Sequence, residues 1–303
     1  MLAARLFRCC RVLSRTYQRS PSVIRQFSLL AALLPALLFG QDTAGGPHAG
    51  LIAHLQALGG GSDAAKDSIS ALVKEQLGLV LDSDSGFTAT FSDVPISRVE
   101  PADGAFRLFT WNVQHSTGTF RYEGFLLTRK GNRSTLYELR DMTEQIGKPE
   151  TALLSPENWY GAIYYEAVPV KRGSRTYYTL LGWKGHNAVE TRKVIEVLSL
   201  GGSMPRFGAP LFASGKQRHQ RRVFAFTAQG SMQLKWMPAR KAIIMDHLSP
   251  TRPEFAGQPA FMAPDFSFDS YTWDKDHWRL DRDIDLRETG KSRPFNTPPP
   301  EAR

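Results

Sequence analysis

The densest set of carboxylates in the chain lies near its C-terminus, in residues 265–285, which read DFSFDSYTWDKDHWRLDRDID. A calcium loop takes acids or Asn at its positions 1, 3 and 5, Gly at position 6 and Glu at position 12. Asp281, Asp283 and Asp285 fit the first three positions, but a leucine and a serine stand where such a loop turns and closes. We therefore predict no metal site here, and no cofactor for the chain.

A β-hairpin explains the same letters better, because successive side chains of a strand point to opposite faces. The aspartates 281, 283 and 285 then share one face, and the opposite face carries Trp278, Leu280, Ile284 and Leu286. A turn over residues 274–277 sets Trp273 opposite Trp278, as a cross-strand aromatic pair. The acidic face is also what an edge strand uses to discourage association.

Four residues are the candidates for catalysis, and they are Asp246, His247, Asp265 and Asp269. Asp246 adjoins His247 at a predicted strand end, where a carboxylate can orient an imidazole. A glycosidase needs two acids roughly 5–10 Å apart with different pKa values, and Glu166 is a further acid with aromatic neighbours. The sequence does not say which acids converge, and it contains no G-x-S-x-G, H-E-x-x-H or Walker motif. Whether the protein is an enzyme stays open at this point.

A second group has the chemistry of ligand binding, because it combines rings with polar groups near predicted turns. Its members are Trp159, Tyr160, Trp183, Lys184, His186 and Asn187. Rings at turns can stack on sugars or bases, but Gly185 and Asn187 are also the residues that a tight turn requires, and Trp183 can cap a core. The basic segment KQRHQRR (216–222) is either an anion-binding surface or a solvated loop.

Aromatic and β-branched runs from residue 85 onward predict the elements that position these groups. The runs are 87–91, 106–114, 120–129, 134–141, 161–170, 175–183, 193–200, 206–212, 221–228, 231–236, 241–248 and the hairpin 271–286. Turn residues separate them at short intervals, which is typical of antiparallel meanders. We predict a mainly β fold of about fourteen strands, closed as a barrel, packed as a sandwich or arranged in propeller-like blades.

Before the strands, residues 41–84 form a predicted helical lead-in. Apolar residues recur at helical spacing from Ala49 to Leu81, a Gly-Gly-Gly stretch interrupts them, and Ser62 or Asp63 can cap the second helix. We expect this helix to pack on its own domain, with a partner-binding amphipathic helix as the alternative. Residues 85–288 form the predicted antiparallel domain, and 289–303 a polar, Pro-rich tail without fixed structure.

Several segments together resemble a family of uncharacterised exported bacterial proteins. They are PADGAFRLFTWNV (101–113), NWYGAIYYEAVPV (158–170), YYTLLGWKGHN (177–187), KVIEVL, PRFGAPLF (205–212) and the C-terminal DFSFDSYTW with its later Trp and DID. The resemblance covers roughly residues 85–287. It implies export and a shared β fold, and because the family has no assigned activity it implies no catalytic residue.

Residues 1–40 predict the address of the protein. Six arginines precede the apolar run FSLLAALLPALLFG, and no acid occurs before Asp42. The run is too short for a membrane span, so we predict a signal peptide with a long cationic region, cleaved near Gln41. The same letters also resemble a mitochondrial transit peptide, and a start at Val23 would give a compact signal.

Removal of this leader changes the interpretation of the whole composition. The net charge falls from +9 to +3, so the excess of basic residues no longer suggests nucleic acid. Both cysteines, Cys9 and Cys10, also lie in the leader, so the mature chain has no thiol for a disulfide, a metal or a nucleophile. We predict a periplasmic or extracellular protein, with no membrane span in the mature chain, that binds an unknown ligand or envelope component. A secreted hydrolase with paired carboxylates is the alternative.

Overall fold

A computed structural model describes residues 46–214 and 217–287 of the chain. The predicted leader (1–40) and the predicted tail (289–303) lie outside the described residues. The described part contains two α-helices, α1 (Ala49–Ala57) and α2 (Asp63–Leu81). Its fifteen strands are β1 (Ser97–Val99), β2 (Phe106–Gln114), β3 (Phe120–Lys130), β4 (Arg133–Arg140), β5 (Ile163–Arg172), β6 (Arg175–Gly185), β7 (Glu190–Ser199), β8 (Arg206–Phe207), β9 (Phe212–Ser214), β10 (Gln217–His219), β11 (Arg222–Thr227), β12 (Leu234–Met237), β13 (Ala242–Pro250), β14 (Met262–Asp274) and β15 (His277–Asp281). The prediction of a mainly β fold with a short helical N-terminal segment is confirmed.

The two helices pack against the first sheet. The Ser62 hydroxyl caps α2 by accepting a hydrogen bond from the Ala65 amide at 3.3 Å. Three apolar residues of α2, Val73, Leu77 and Leu81, have almost no exposed surface and lie in a core shared with β2 and β3. The helix therefore covers its own domain, as expected. Neither described helix has both the length and the apolar composition that crossing a membrane requires.

The first sheet is an antiparallel meander in the order β1-β2-β3-β4. The prediction of a strand over residues 87–91 is wrong, because these residues form turns and irregular backbone. Phe91 is buried because it packs edge-on against Phe109 of β2, with ring centroids 5.1 Å apart. Phe91 therefore contributes its ring to the core under the helices and not to a β-sheet.

The middle sheet has the order β11-β7-β6-β5, with β8 paired to β7. Both of its faces are buried. Leu180 and Val194 belong to the core shared with the first sheet, while their neighbours Leu181 and Ile195 belong to the core shared with the third sheet. A strand buried on both sides carries a continuous apolar run, which explains the letters TLLGW and VIEVL.

The third sheet has the order β10-β9-β15-β14-β13-β12. The predicted hairpin and its aromatic pair are present: Trp273 lies opposite Trp278, with ring centroids 5.3 Å apart. Two details of that prediction are corrected. β15 is not an edge strand, because β9 pairs with it on the side away from β14. The alternating row also ends at Asp281, and Asp283 has a left-handed backbone with φ 51°.

The architecture is a stack of layers in the order helices, first sheet, middle sheet and third sheet. Three apolar cores fill the spaces between successive layers. Of the three closures that the sequence allowed, the arrangement matches a sandwich extended to three sheets, and the described strands do not close into a barrel.

Candidate functional site

The turn between β6 and β7 positions the first group of candidate residues. The Asn187 side-chain oxygen accepts hydrogen bonds from the amides of Val189 and Glu190, each 2.9 Å long. This pattern closes an Asx-type turn. The side-chain amide of Asn187 is therefore used to form the turn. The turn directs His186 and the first residues of β7 toward one side of the sheet.

Lys184 is almost completely buried, with 1% of its surface exposed. Its ammonium donates hydrogen bonds to the Gly161 carbonyl at 2.6 Å and the Thr143 hydroxyl at 2.9 Å. It also lies over the rings of Tyr122 and Tyr160, 4.3 and 4.7 Å from their centroids. Burial lowers the pKa of Lys184 to about 8.

Beside this lysine is a cleft of about 380 Å³, which we call the Tyr160 cleft. Its lining residues come from the segment after β4, from the β6–β7 turn, from β7 and β11, and from a single proline between β13 and β14. They are Thr143, Glu144, Ile146, Gly147, Pro149, Tyr160, His186, Glu190, Arg192, Val223, Ala225 and Pro259.

Hydrogen bonds fix the polar wall of the Tyr160 cleft. Arg192 donates from Nη1 to the Tyr160 hydroxyl at 2.7 Å and from Nε to Glu190 Oε1 at 2.6 Å. Burial raises the pKa of Tyr160, so its hydroxyl keeps its proton at neutral pH. Burial, together with the positive charge of Arg192, lowers the pKa of His186. His186 is therefore neutral at pH 7, with one ring nitrogen to donate and one to accept.

The two tryptophans of the predicted ligand group do not line this cleft. Trp159 has no exposed surface and donates from its ring nitrogen to the Tyr164 hydroxyl at 3.2 Å, within the core of the first two sheets. Trp183 packs edge-on against Phe120, with ring centroids 5.5 Å apart. The structure thus brings Tyr160, His186 and the neighbouring Lys184 together, and it uses the tryptophans for packing.

The second group of candidates lies between β13 and β14. His247 Nδ1 is 2.8 Å from Asp269 Oδ2, and the buried Asp269 also accepts from the Asp283 amide at 3.1 Å. Asp246, which the sequence paired with His247, instead accepts from the Gln233 amide at 2.7 Å. The imidazole is oriented by a carboxylate, as expected, but the carboxylate comes from the neighbouring strand.

A bulge in the β13–β14 ladder explains this geometry. Pairing passes from Asp246 opposite Phe268 to Leu248 opposite Pro264, so three residues of β14 face one of β13. Asp265 in the bulge accepts hydrogen bonds from the hydroxyls of Ser249 and Ser267, at 2.6 and 2.7 Å. These bonds lower the pKa of Asp265 to about 2.

Beyond the bulge, residues 248–264 form an extension that we call the β13–β14 arm. The arm reaches the middle sheet, where residues 259–261 contact β11. Pro259 lines the Tyr160 cleft, and Phe261 lies in an adjacent concavity with Ala188 and Val189. The two groups of candidate residues are therefore connected. Tyr160 and His186 of the first group line the cleft, and the second group lies at the bulge from which the arm extends to the cleft.

Four residues of the cleft with polar side chains were not among the sequence candidates, namely Thr143, Glu144, Glu190 and Arg192. A signal for the last two was present, because residues two apart in a strand share a face and Glu190 and Arg192 begin β7 with opposite charges. Glu166, in contrast, lies beside an irregularity of β5 outside the cleft, where burial raises its pKa.

The basic segment 216–222 does not form a free cationic surface over residues 217–222, the part of it that the structure describes. Arg221 is completely buried and pairs with Glu196 at 2.6 Å, while it donates to the carbonyls of Ala152 and Phe207 at 2.9 and 3.0 Å. Arg222 lies 3.4 Å from Glu150. The anion-binding interpretation of this segment is therefore not supported by the geometry.

Within residues 46–214 and 217–287, no group of three or more His, Cys, Asp or Glu side chains is arranged to hold a metal ion. Comparisons of the chain with protein families, curated proteins and solved structures find no match.

Proposed function

We propose that this chain is an exported, non-catalytic binding protein that holds a hydroxyl-rich ligand, of the saccharide class, in the Tyr160 cleft. The observation that carries the proposal is the array of Tyr160, Arg192 and Glu190, joined by hydrogen bonds of 2.7 and 2.6 Å along one wall. Neutral His186 completes the array. A component of the cell envelope is the corresponding biological ligand.

The chemistry of the wall supports a hydroxylated ligand. A hydroxyl group both donates and accepts, so it is bound best where donors and acceptors alternate. Arg192 supplies donors, Glu190 supplies acceptors, and the imidazole of His186 supplies one of each. Because Arg192 is paired with Glu190, the wall does not require a charged ligand.

Other lining residues of the cleft supply apolar contact. Ile146, Pro149, Val223, Ala225 and Pro259 line it. Small-molecule sites combine a largely apolar lining with a few fixed polar groups, in volumes of roughly 300–1,000 Å³. The cleft, at about 380 Å³, has the size for one or two rings.

A hydrolase of the same ligand class is the second candidate, because Glu144 and Glu190 are two carboxylates in one cleft. Glycoside hydrolysis needs one acid that carries a proton. Glu190 is bonded to Arg192, and the acids first suspected, Asp265 and Asp269, lie at the bulge. With a pKa of about 2, Asp265 is ionised at physiological pH and cannot be the general acid. These observations favour binding over hydrolysis.

Calorimetric titration with chito-, cello- and maltotetraose tests the proposal. We expect saturable binding of at least one of them, and a Tyr160→Phe variant should bind it about 5- to 30-fold more weakly, as expected for one lost hydrogen bond. Tyr165→Phe is the matched control, because the Tyr165 hydroxyl bonds the Leu234 carbonyl away from the cleft.

Three outcomes would count against the proposal. Absence of binding by the whole panel contradicts a saccharide ligand, and an equal loss in both tyrosine variants contradicts the assignment to the cleft. Release of new reducing ends during the titration would show that the protein is a hydrolase and not a binding protein.

A further inference from the structure

A second concave site lies beside the β3–β4 hairpin of the first sheet. It has a volume of about 680 Å³ and is formed by the end of β3, the start of β4 and residues 200–205 after β7. We call it the hairpin pocket. It shares no lining residue with the Tyr160 cleft.

Two cations face each other in the hairpin pocket. Lys130 and Arg133 are directly opposite across the β3–β4 ladder, and like charges in that position repel each other. The pocket's described lining contains no carboxylate, and neither cation forms a salt bridge with a described residue. Arg129 also contributes to the lining, but its guanidinium stacks on Phe87, 4.1 Å from the ring centroid.

The β5–β6 hairpin also has two like charges opposite each other, but there a carboxylate lies nearby. Arg172 and Arg175 are directly opposite at its turn. There, however, a carboxylate oxygen of Asp276 lies 3.6 Å from Arg172. The like-charged pair of the β5–β6 hairpin thus has a carboxylate beside it. The pair in the hairpin pocket has none among the described residues.

Hydroxyl groups surround the uncompensated pair. Thr128 and Thr135 lie on the same face of the hairpin as the two cations, and Ser203 also lines the pocket. Arginine binds phosphate oxygens through its planar fork, lysine as a point charge, and hydroxyls donate to the remaining oxygens.

We propose that the hairpin pocket binds a phosphate group, either free or as the ester of a larger envelope molecule. An anion between Lys130 and Arg133 replaces their mutual repulsion by two charge-assisted hydrogen bonds. The site is independent of the saccharide proposal, because no residue is shared and the chemistry of the ligand differs.

Titration of the full mature chain with inorganic phosphate at low ionic strength tests this site. We expect saturable binding by wild type, and a loss of at least about tenfold in a Lys130→Gln/Arg133→Gln variant. The matched control is Arg172→Gln/Arg175→Gln, which removes the same charge and should bind as wild type does. Lys130→Arg keeps both charges and should also retain binding.

A second arm identifies the source of the phosphate. Vesicles of phosphatidylcholine with and without phosphatidylglycerol are sedimented with each variant. Cosedimentation that requires phosphatidylglycerol, Lys130 and Arg133 assigns a lipid phosphate, and phosphate binding without cosedimentation assigns a soluble one. Absence of phosphate binding by wild type, or an equal loss in both double variants, overturns the proposal.

Discussion

Two cationic side chains, Lys184 and Arg221, are buried in this protein in different ways. Arg221 has a carboxylate partner, Glu196, at 2.6 Å, and its other nitrogens donate to backbone carbonyls. Lys184 has no described carboxylate at salt-bridge distance and relies on two neutral oxygens and two aromatic rings. Because desolvation then outweighs the favourable contacts, the pKa of Lys184 falls to about 8.

This lowered pKa predicts a specific dependence of stability on pH. The unfolded chain keeps the Lys184 proton up to the ordinary lysine pKa of 10.5, while the folded protein releases it near 8. The unfolded state therefore binds more protons in this window, and the contribution of Lys184 to stability rises with pH. Between pH 7.5 and 9.5, the free energy of unfolding of wild type should gain about 2 kcal/mol relative to a Lys184→Met variant.

Urea unfolding of both proteins at the two pH values measures this difference. The buried tyrosines keep their protons in the folded protein across this window, because burial raises their pKa values above the ordinary value of 10. Lys235→Met, at an exposed lysine of β12, is the control for the loss of a lysine side chain. A constant difference for Lys184→Met would mean that the lysine is not desolvated.

At the scale of single residues, the sequence predicted part of the candidate site. Turn chemistry in GWKGHN identified Lys184 and His186, and the position before β5 identified Tyr160. The burial of Lys184 could not be predicted, because it depends on Tyr122 of another sheet. For the same reason the sequence paired His247 with its neighbour Asp246, whereas the bulge brings Asp269 to it.

At the scale of elements, the bulge in β14 contains a backbone outlier. Phe266 has a φ of 71°, and the residue is 95% exposed. A left-handed conformation costs an L-residue about 1–2 kcal/mol, and asparagine tolerates it better than most residues. The exposed ring contributes no packing that would offset this strain.

Replacement of Phe266 by asparagine should therefore stabilise the protein by roughly 0.5–1 kcal/mol. Chemical denaturation of the two proteins at neutral pH measures the change. Phe266→Ala is the control, because it removes the ring but leaves a residue with the same aversion to positive φ. An equal gain in both variants would attribute the effect to the loss of the ring and not to the backbone.

Alternation and turn residues predicted the long strands well, because each buries at least one face. Short elements such as β8 and β9 were merged into one predicted strand over 206–212. The segment 87–91 was predicted as a strand because it is rich in aromatic and β-branched residues, yet Phe91 is buried by the helical layer above β2. In both cases tertiary packing determines the structure more than local pattern does.

For the whole molecule, the layers are connected through the middle sheet. Its two faces are buried in two different cores, and the buried Arg221–Glu196 pair fastens the segment after β4 to it. The β13–β14 arm then crosses from the third sheet to the same layer. The Tyr160 cleft therefore lies where three parts of the chain meet, which is a common location for ligand sites.

The predicted address of the molecule depends on the residues before this fold. Helix α1 begins at Ala49, a short distance after the predicted cleavage point near Gln41. Because the apolar run 27–40 contains Pro35 and is too short to span a bilayer, we expect removal of the leader and not its retention as an anchor. N-terminal sequencing of protein recovered from the periplasm or medium should then give a start within a few residues of Gln41. An intact Met1 would contradict cleavage, and a start near Gln41 in a variant truncated to begin at Val23 would show that the earlier arginines are not needed for export.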